Sequence, residues 1–288
     1  MIQKVFYFPQ IFPIFQEAHD FFVNTKKQTA TQHLFTNKQL RTLLVPIMVE
    51  QLLSSLMGTA DTMMVSNVGS AAISAVSLVD AINILVIQAL SALAAGGAIL
   101  CSQYLGSQNL KKAKRSAEQV LFVMLVLSCS LSLLCLIFRF PLLRLIFGTV
   151  DTDVMANSQI YFFFTLLSFP FIGLYDAGAS ILRAQNNTKG PMTISILSNF
   201  LNIGGNAILI FVFGMGVAGA AISTLISRIF CAIVVIWQLR NPAEQIYVRN
   251  YFSIRPDWSL IKRVLFIGIP SGIENSMFQF GKLAIQST

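Results

Sequence analysis

Charge is scarce in this 288-residue chain: charged residues make up 11% of it, against 55% hydrophobic residues. Together with a mean hydropathy of +0.69, this excludes an ordinary soluble domain and points to repeated crossing of a membrane. Histidine is scarcer still. His19 and His33 both precede the first long apolar stretch, so an intramembrane enzyme that needs a nucleophile–base or metal constellation finds no histidine within the spans. Cysteine is confined to Cys101, Cys129, Cys135 and Cys231, all in apolar segments without metal-ligand spacing. They read as small packing residues. No Walker-type phosphate loop, zinc motif or nucleophile elbow occurs, which argues against energy from ATP hydrolysis within the chain and against an enzyme. No cofactor is expected. Residues 1–39 lack a compact apolar core followed by a small-residue cleavage site, so they make a poor signal peptide. Their aromatics (Phe6, Tyr7, Phe8, Phe12, Phe15, Phe21, Phe22) could lie along the inner membrane surface or belong to a disordered lead.

What the chain has in abundance is apolar runs long enough to cross a hydrocarbon core of about 30 Å. They fall near 40–65, 73–104, 117–138, 159–182, 192–213 and 217–239, and a seventh starts near 260. Short turns between most of them predict antiparallel neighbours. The net charge of +8 could suggest nucleic acid, but its distribution suggests topology instead. Sixteen of the 20 Lys and Arg lie before span one or in the loops after spans two, four and six. The alternate loops carry Arg139 and Arg144, while Arg228 and Lys282 fall inside spans. The positive-inside rule then places the N-terminus in the cytoplasm.

The chain also echoes itself. Leu44-Val45-Pro46-Ile47-Met48-Val49-Glu50-Gln51 and Gly268-Ile269-Pro270-Ser271-Gly272-Ile273-Glu274-Asn275 each place a glutamate one turn after a proline. Both prolines are expected to open their helices. A carboxylate inside a span is costly and marks function, and its recurrence in register suggests an internal duplication. The second copy stops at Thr288, so the expectation is one half of a transporter plus the stub of the other.

Polar stripes mark the candidate residues. Span one carries Glu50, Ser54, Gly58 and Asp61 on one face, its two acids roughly 16 Å apart. A carboxylate withdrawn from water can take up a proton or, given oxygen neighbours, hold Na+; the alternative is a structural acid bonded to neighbouring helices. Span five carries Ser195, Asn199, Asn202 and Asn206 on one face, either lining a cavity or joining helices. Span two offers Asp80, Asn83 and Ser91, with Asp80 close enough to the outer surface to be hydrated. Span four offers Ser168, Tyr175 and Asp176, and Arg183 at its end reads as an interfacial anchor. Ser54, Asn199, Tyr175 and Asp176 are the candidates for a substrate cavity. The small-residue runs at 94–98 and 214–221 suit close, static helix packing or sliding.

From about Leu40 onward these features resemble the multidrug and toxic compound extrusion (MATE) transporters. The resemblance rests on Gly58-Thr59-Ala60-Asp61-Thr62 ending span one and Ser102-Gln103-Tyr104-Leu105-Gly106 closing span two. It continues through 182–192 between spans four and five, Asn202 with Asn206, the run 214–221, and the restart at Pro270. It implies an all-α fold of two six-helix bundles around a central cavity. Residues 40–239 would be the first bundle, 1–39 a cytoplasmic N-terminal segment, 240–259 a cytoplasmic linker and 260–288 the incomplete start of the second bundle. It implies export of cationic or amphipathic molecules across the cell membrane in exchange for Na+ or H+. Asp61 would be the cation site, supported by Asn202 and Asn206, with Glu50 and Glu274 as further coupling candidates. The chain departs from some members by placing Asn206 where they have an acid on span five. It also has Phe278 where others have an acid in helix seven, and Glu274 one turn earlier. The rival expectations are a lipid-linked oligosaccharide flippase of the wider superfamily and an inactive fragment that needs a missing C-terminal half.

Overall fold

A computed structural model describes residues 37–148, 150–249, 251 and 255–286, without the side chains of 37, 39, 274–276 and 278–286. The aromatic lead and the Glu274 carboxylate therefore lie outside the described residues. So does the greater part of the unit Met1–Leu44, which here contributes the opening turns of the first helix.

The described residues are helical and include no strand. In order, the helices are α1 (Asn37–Val65), α2 (Ser70–Gly106), α3 (Leu110–Ile137), the short α4 (Arg139–Phe147), α5 (Thr152–Ala184), α6 (Lys189–Asn206), α7 (Gly216–Leu239) and α8 (Trp258–Gln286). A π-helical turn, Ala207–Val212, continues α6. Six of these helices are long and apolar enough to cross a membrane, from Leu40–Val65 to Gly216–Leu239. They correspond to spans one to six of the sequence. In a bilayer every backbone polar group must be satisfied within its own segment, which is why such sequences form helices.

Pro46 and Pro270 do not open their helices. Each lies well inside, in α1 and α8, as Pro170 does in α5. A proline breaks one backbone hydrogen bond, yet the strong helix preference of the flanking residues in an apolar setting carries the helix through it.

Consecutive spans pack together in part, α2 on α3, α3 on α5 and α6 on α7. The densest interfaces are α2 with α5, α5 with α7, and α2 with α8, whereas α5 and α6 diverge after their short turn. Helix α5 is the hub because its buried face combines Phe162, Leu166 and Phe169 with small Gly173, Ala177 and Gly178. A Cβ on Gly178 would meet Val235 of α7 at 2.7 Å, and one on Gly173 would meet Ser128 of α3 at 2.7 Å. Small residues thus let the helices approach, since in lipid their association depends on close packing.

The run 94–98 has this static role. A Cβ on Gly96 would lie 2.6 Å from the backbone nitrogen of Gly268 and 2.7 Å from its Cα, so α2 and α8 cross backbone to backbone. Gly96→Val should lower the stability of the α2–α8 contact by about 1–3 kcal/mol, because a backbone cannot turn aside as a side chain does. Thermal unfolding in detergent checks this, with Gly58→Ala as the control without a clash, since nothing stands within 4 Å of a Cβ there and only a helix-propensity gain of up to about 1 kcal/mol is expected.

Described residues of the segment expected as a linker pack against the helices. Ile246 and Val248 are buried. The Ile246 amide donates to Gln185 Oε1 at 2.9 Å, Asn187 Nδ2 donates to Glu244 Oε1 at 2.6 Å, and the Tyr251 hydroxyl donates to the Ile236 carbonyl at 3.1 Å. Farther on, Gln119 of α3 donates to the Arg255 carbonyl and accepts from the Asp257 amide, and Arg115 pairs with Asp257 at 3.0 Å.

Candidate functional site

Helix α1 is held unlike the others. Of its most apolar window 11% is buried, against 50% for α5 and α7, and it has no extensive backbone packing with another helix. Beyond Leu44 its links to the bundle include two buried carboxylates, Glu50 and Asp61.

Asp61 meets α6 and α7. Its Oδ1 accepts a hydrogen bond from Asn206 Nδ2, and its Oδ2 accepts one from the Thr224 hydroxyl at 3.2 Å. Asn202 Nδ2 donates to Thr224 Oγ1 at 3.2 Å, and Asn206 Nδ2 also approaches Asn202 Oδ1 at 3.4 Å. The Ser223 hydroxyl donates to the Asn202 carbonyl at 2.8 Å. Asn202 and Asn206 are both fully buried, and Asn206 Oδ1 has no hydrogen-bond partner among the described residues. Asn206 is the last α-helical residue before the π-helical turn; such turns are frequent at functional sites. The result is a small hydrogen-bonded cluster of a carboxylate, two amides and a hydroxyl buried in an apolar bundle. Hard oxygens of this kind suit Na+, and a desolvated carboxylate equally suits a proton.

Glu50 meets α5. Its Oε1 accepts from the Tyr175 hydroxyl at 2.9 Å and from Arg183 Nη2 at 3.2 Å. The Tyr175 oxygen lies 2.9 Å from Ser195 Oγ of α6 and 3.4 Å from the Pro191 carbonyl oxygen. Asp176 interacts electrostatically with Arg183, Glu50 and Arg228, and its Oδ2 is buried without a hydrogen bond. Arg183 is therefore no simple interfacial anchor. Its guanidinium turns inward because two buried acids on that side lack a cation, a larger electrostatic demand than interfacial hydration.

The structure thus brings Asp61, Asn202 and Asn206 into one cluster and Glu50, Tyr175 and Asp176 into another. Asn199 is buried but donates to the Ser195 carbonyl of its own helix at 2.8 Å. Ser54 is exposed on α1. Two surface depressions, of about 600 and 530 Å³, are lined by residues such as Arg144 and Gln159 or Tyr104 and Arg263, and by none of these candidates. Sequence reasoning missed Thr224, Arg228 and Tyr161, whose hydroxyl donates to Asp80 Oδ1 at 3.2 Å. Arg228 carried a readable signal, being an arginine inside an apolar span and four residues after Thr224. Its Nη1 donates to Ser168 Oγ at 2.6 Å.

Six membrane-length helices with buried, hydrogen-bonded carboxylates among them define the class, a multi-spanning membrane protein. The MatE family model matches residues 46–208, and the chain belongs to the MATE family of transporters. It is 30% identical over 246 residues to the uncharacterized transporter YisQ of Bacillus subtilis strain 168, covering 83% of this chain and 53% of that protein. It is 29% identical over 258 residues to the probable multidrug resistance protein NorM of Thermotoga maritima, covering 85% of this chain and 53% of the relative. Among solved structures, MATE in complex with MaD5 superposes with a TM-score of 0.75 at 25% identity, over 83% of this chain and 54% of that one. The outward-facing conformation of a multidrug resistance MATE family transporter gives 0.75 at 24%, over 83% and 52%. The chain spans about half the length of the curated relatives it matches.

Proposed function

We propose that this chain supplies one bundle of a secondary antiporter that exports amphipathic or cationic small molecules across the cell membrane in exchange for Na+ or H+. Residues 40–239 form that bundle, 260–288 begin a second one, and the N-terminus is cytoplasmic. The observation that carries the reading is Asp61, buried in the bundle with both carboxylate oxygens engaged from α6 and α7. Asn202 and Asn206 support it. Glu50, with Tyr175 and Asp176, supplies a second charged contact by which α1 senses the bundle.

An ion bound at Asp61 neutralises the charge that faces Asn206 and Thr224, and so changes how α1 sits against α6 and α7. Coupling then requires the two facings of the transporter to hold the ion with different affinity, since equal affinity shifts nothing. Several relatives are named as multidrug resistance proteins, which supports an amphipathic cargo.

The test is efflux of a fluorescent cationic dye from cells that express either this chain or a full-length relative carrying its first bundle, with Na+ and H+ gradients imposed separately. Efflux that follows one gradient is expected from the full-length protein. Efflux from neither, with both proteins inserted in the membrane, would refute the reading.

A further inference from the structure

Helices α2 and α3 are both of membrane length and turn about at 107–109, on the face proposed as cytoplasmic. Beside that turn lies the depression of about 530 Å³, lined by the end of α2 and the first turns of α3 and α8. Its lining is strongly basic: Lys111, Lys112, Arg115 and Arg263 stand against one acid, Asp257.

Asp257 is already engaged. Its Oδ2 pairs with Arg115 at 3.0 Å, and its Oδ1 accepts from the Ser259 hydroxyl at 2.8 Å and the Ser259 amide at 3.2 Å. Among the described residues the ion pairs are Arg115–Asp257 and Arg183–Glu50, so Lys111, Lys112 and Arg263 have no acid partner there. Two of these three share one side chain. Arg263 Nη1 donates to the Tyr104 hydroxyl at 3.1 Å, and Lys112 Nζ lies 5.9 Å from the centroid of the Tyr104 ring. Basic residues that only orient a chain in the membrane need no common target. Here they gather round one concavity, where like charges repel unless an anion sits among them. The starts of two helices add partial positive charge in the same place.

The surroundings decide which anion. Trp258 immediately precedes Ser259 of the lining, and Phe266 stands about one turn beyond Arg263 on α8. The two are 77% and 78% exposed, and Leu110 at the start of α3 is exposed as well. A free phosphate ion gains nothing from these apolar groups. A phospholipid meets the cations with its headgroup and the apolar groups with its acyl chains, and tryptophan favours that headgroup level. We propose that this depression binds the phosphodiester headgroup of an anionic phospholipid, with Lys111, Lys112 and Arg263 holding the phosphate and Asp257 fixing Arg115 at its side. Basic pockets between helices at the cytoplasmic face hold lipid headgroups in this way. Because α2, α3 and α8 all contribute, the bound lipid ties the first bundle to the residues proposed as the start of the second. Neither Asp61 nor the exported cargo enters this inference.

Trp258 is also the reporter. In a Trp237→Phe background it is the one tryptophan of the chain, and brominated acyl chains quench it on contact. The purified full chain in phosphatidylcholine vesicles is titrated with brominated phosphatidylglycerol or brominated phosphatidylcholine. Half-quenching should need at least about fivefold less of the anionic lipid, the scale of one Lys or Arg near an anionic surface. Lys112→Gln/Arg263→Gln should bring the two lipids to within about twofold of each other. Lys38→Gln/Lys189→Gln removes two charges from the same proposed face outside the depression and should leave the preference as in the wild type.

Equal quenching by the two lipids in the wild-type chain overturns the proposal, as does an unchanged preference in Lys112→Gln/Arg263→Gln. An equal loss in Lys38→Gln/Lys189→Gln overturns it too, since the preference would then come from diffuse surface charge. Inorganic phosphate should displace the anionic lipid no better than sodium chloride at the same ionic strength; if it does, the depression holds a free phosphate and the lipid assignment falls. Should Lys112→Gln/Arg263→Gln not insert, Lys111→Gln/Lys112→Gln, a change of two exposed side chains, decides by the same readout. Dye efflux and its ion dependence are measured separately, so the reading of Asp61 stands or falls apart from this result.

Discussion

Asp61→Asn should abolish ion-coupled export, a loss of at least about a hundredfold, the scale on which removing a charge changes binding of a cation in a partly desolvated site. The substitution is nearly isosteric. An amide at position 61 can still accept from Asn206 through its one oxygen and donate its NH2 to the Thr224 hydroxyl, the two groups that hold the native carboxylate, so one of the two hydrogen bonds is kept and the other reverses direction. What disappears is the negative charge, and with it the attraction for a cation and the ability to take up a proton. Transport of a cationic dye by proteoliposomes of a full-length protein carrying this first bundle checks the outcome, with membrane insertion and thermal stability as controls. Full-rate export by the variant would sink the coupling role. Asp61→Glu should retain part of the activity, because the charge remains while the longer stem misplaces it against Thr224.

Arg183→Met should be the most destabilising single change in the Glu50 cluster, by about 3 kcal/mol, the lower end of the range for stripping a buried acid of its partner. The lower end applies because the Arg183 side chain is 30% exposed and that of Glu50 10%. Arg183 faces two acids, Glu50 and Asp176, and its loss leaves both without their main cation. Glu50→Gln should cost less. Tyr175 can still donate to the amide oxygen, and Arg183 keeps Asp176. The double variant should cost less than the two single changes added together, by roughly 1 kcal/mol or more, as expected for residues in one charged network. Thermal unfolding of the four proteins in detergent gives the cycle, and strict additivity would show that the pair at 3.2 Å contributes nothing. Because this cluster and Asp61 are buried contacts of a loosely packed α1, the same loss should loosen that helix before the rest of the bundle. Hydrogen exchange along α1 reads this directly.

A good part of the molecule was legible in the sequence. The six spans followed from apolar length alone, and the helix preference from the absence of water to satisfy the backbone. That Asp61, Asn202 and Asn206 turn away from lipid could be read in advance, because polar groups at helical spacing in a span must face protein or water; that they belong together was implied by the family resemblance. Glu50 stood out for the same reason. Thr224 could not be found that way. A threonine hydroxyl in a run of glycine and alanine satisfies its own helix in most spans, and nothing local says that it will meet an acid 163 residues away. Arg183 was misread because its sequence position, at the end of a span, is where arginines anchor by default.

By itself the sequence determined which segments are helices of membrane length, and which of their faces are polar. Both follow from local periodicity and from the cost of placing charge in lipid. The tertiary structure decided which acid meets which partner. It set Asn206 against Asp61 across 145 residues and Arg183 against Glu50 across 133, and it made α5 rather than a sequence neighbour the centre of packing. The physical reason is that helix partners are chosen by where small residues allow close approach and where buried charges find compensation. Those are properties of surfaces in contact, and they exist only once the bundle has formed.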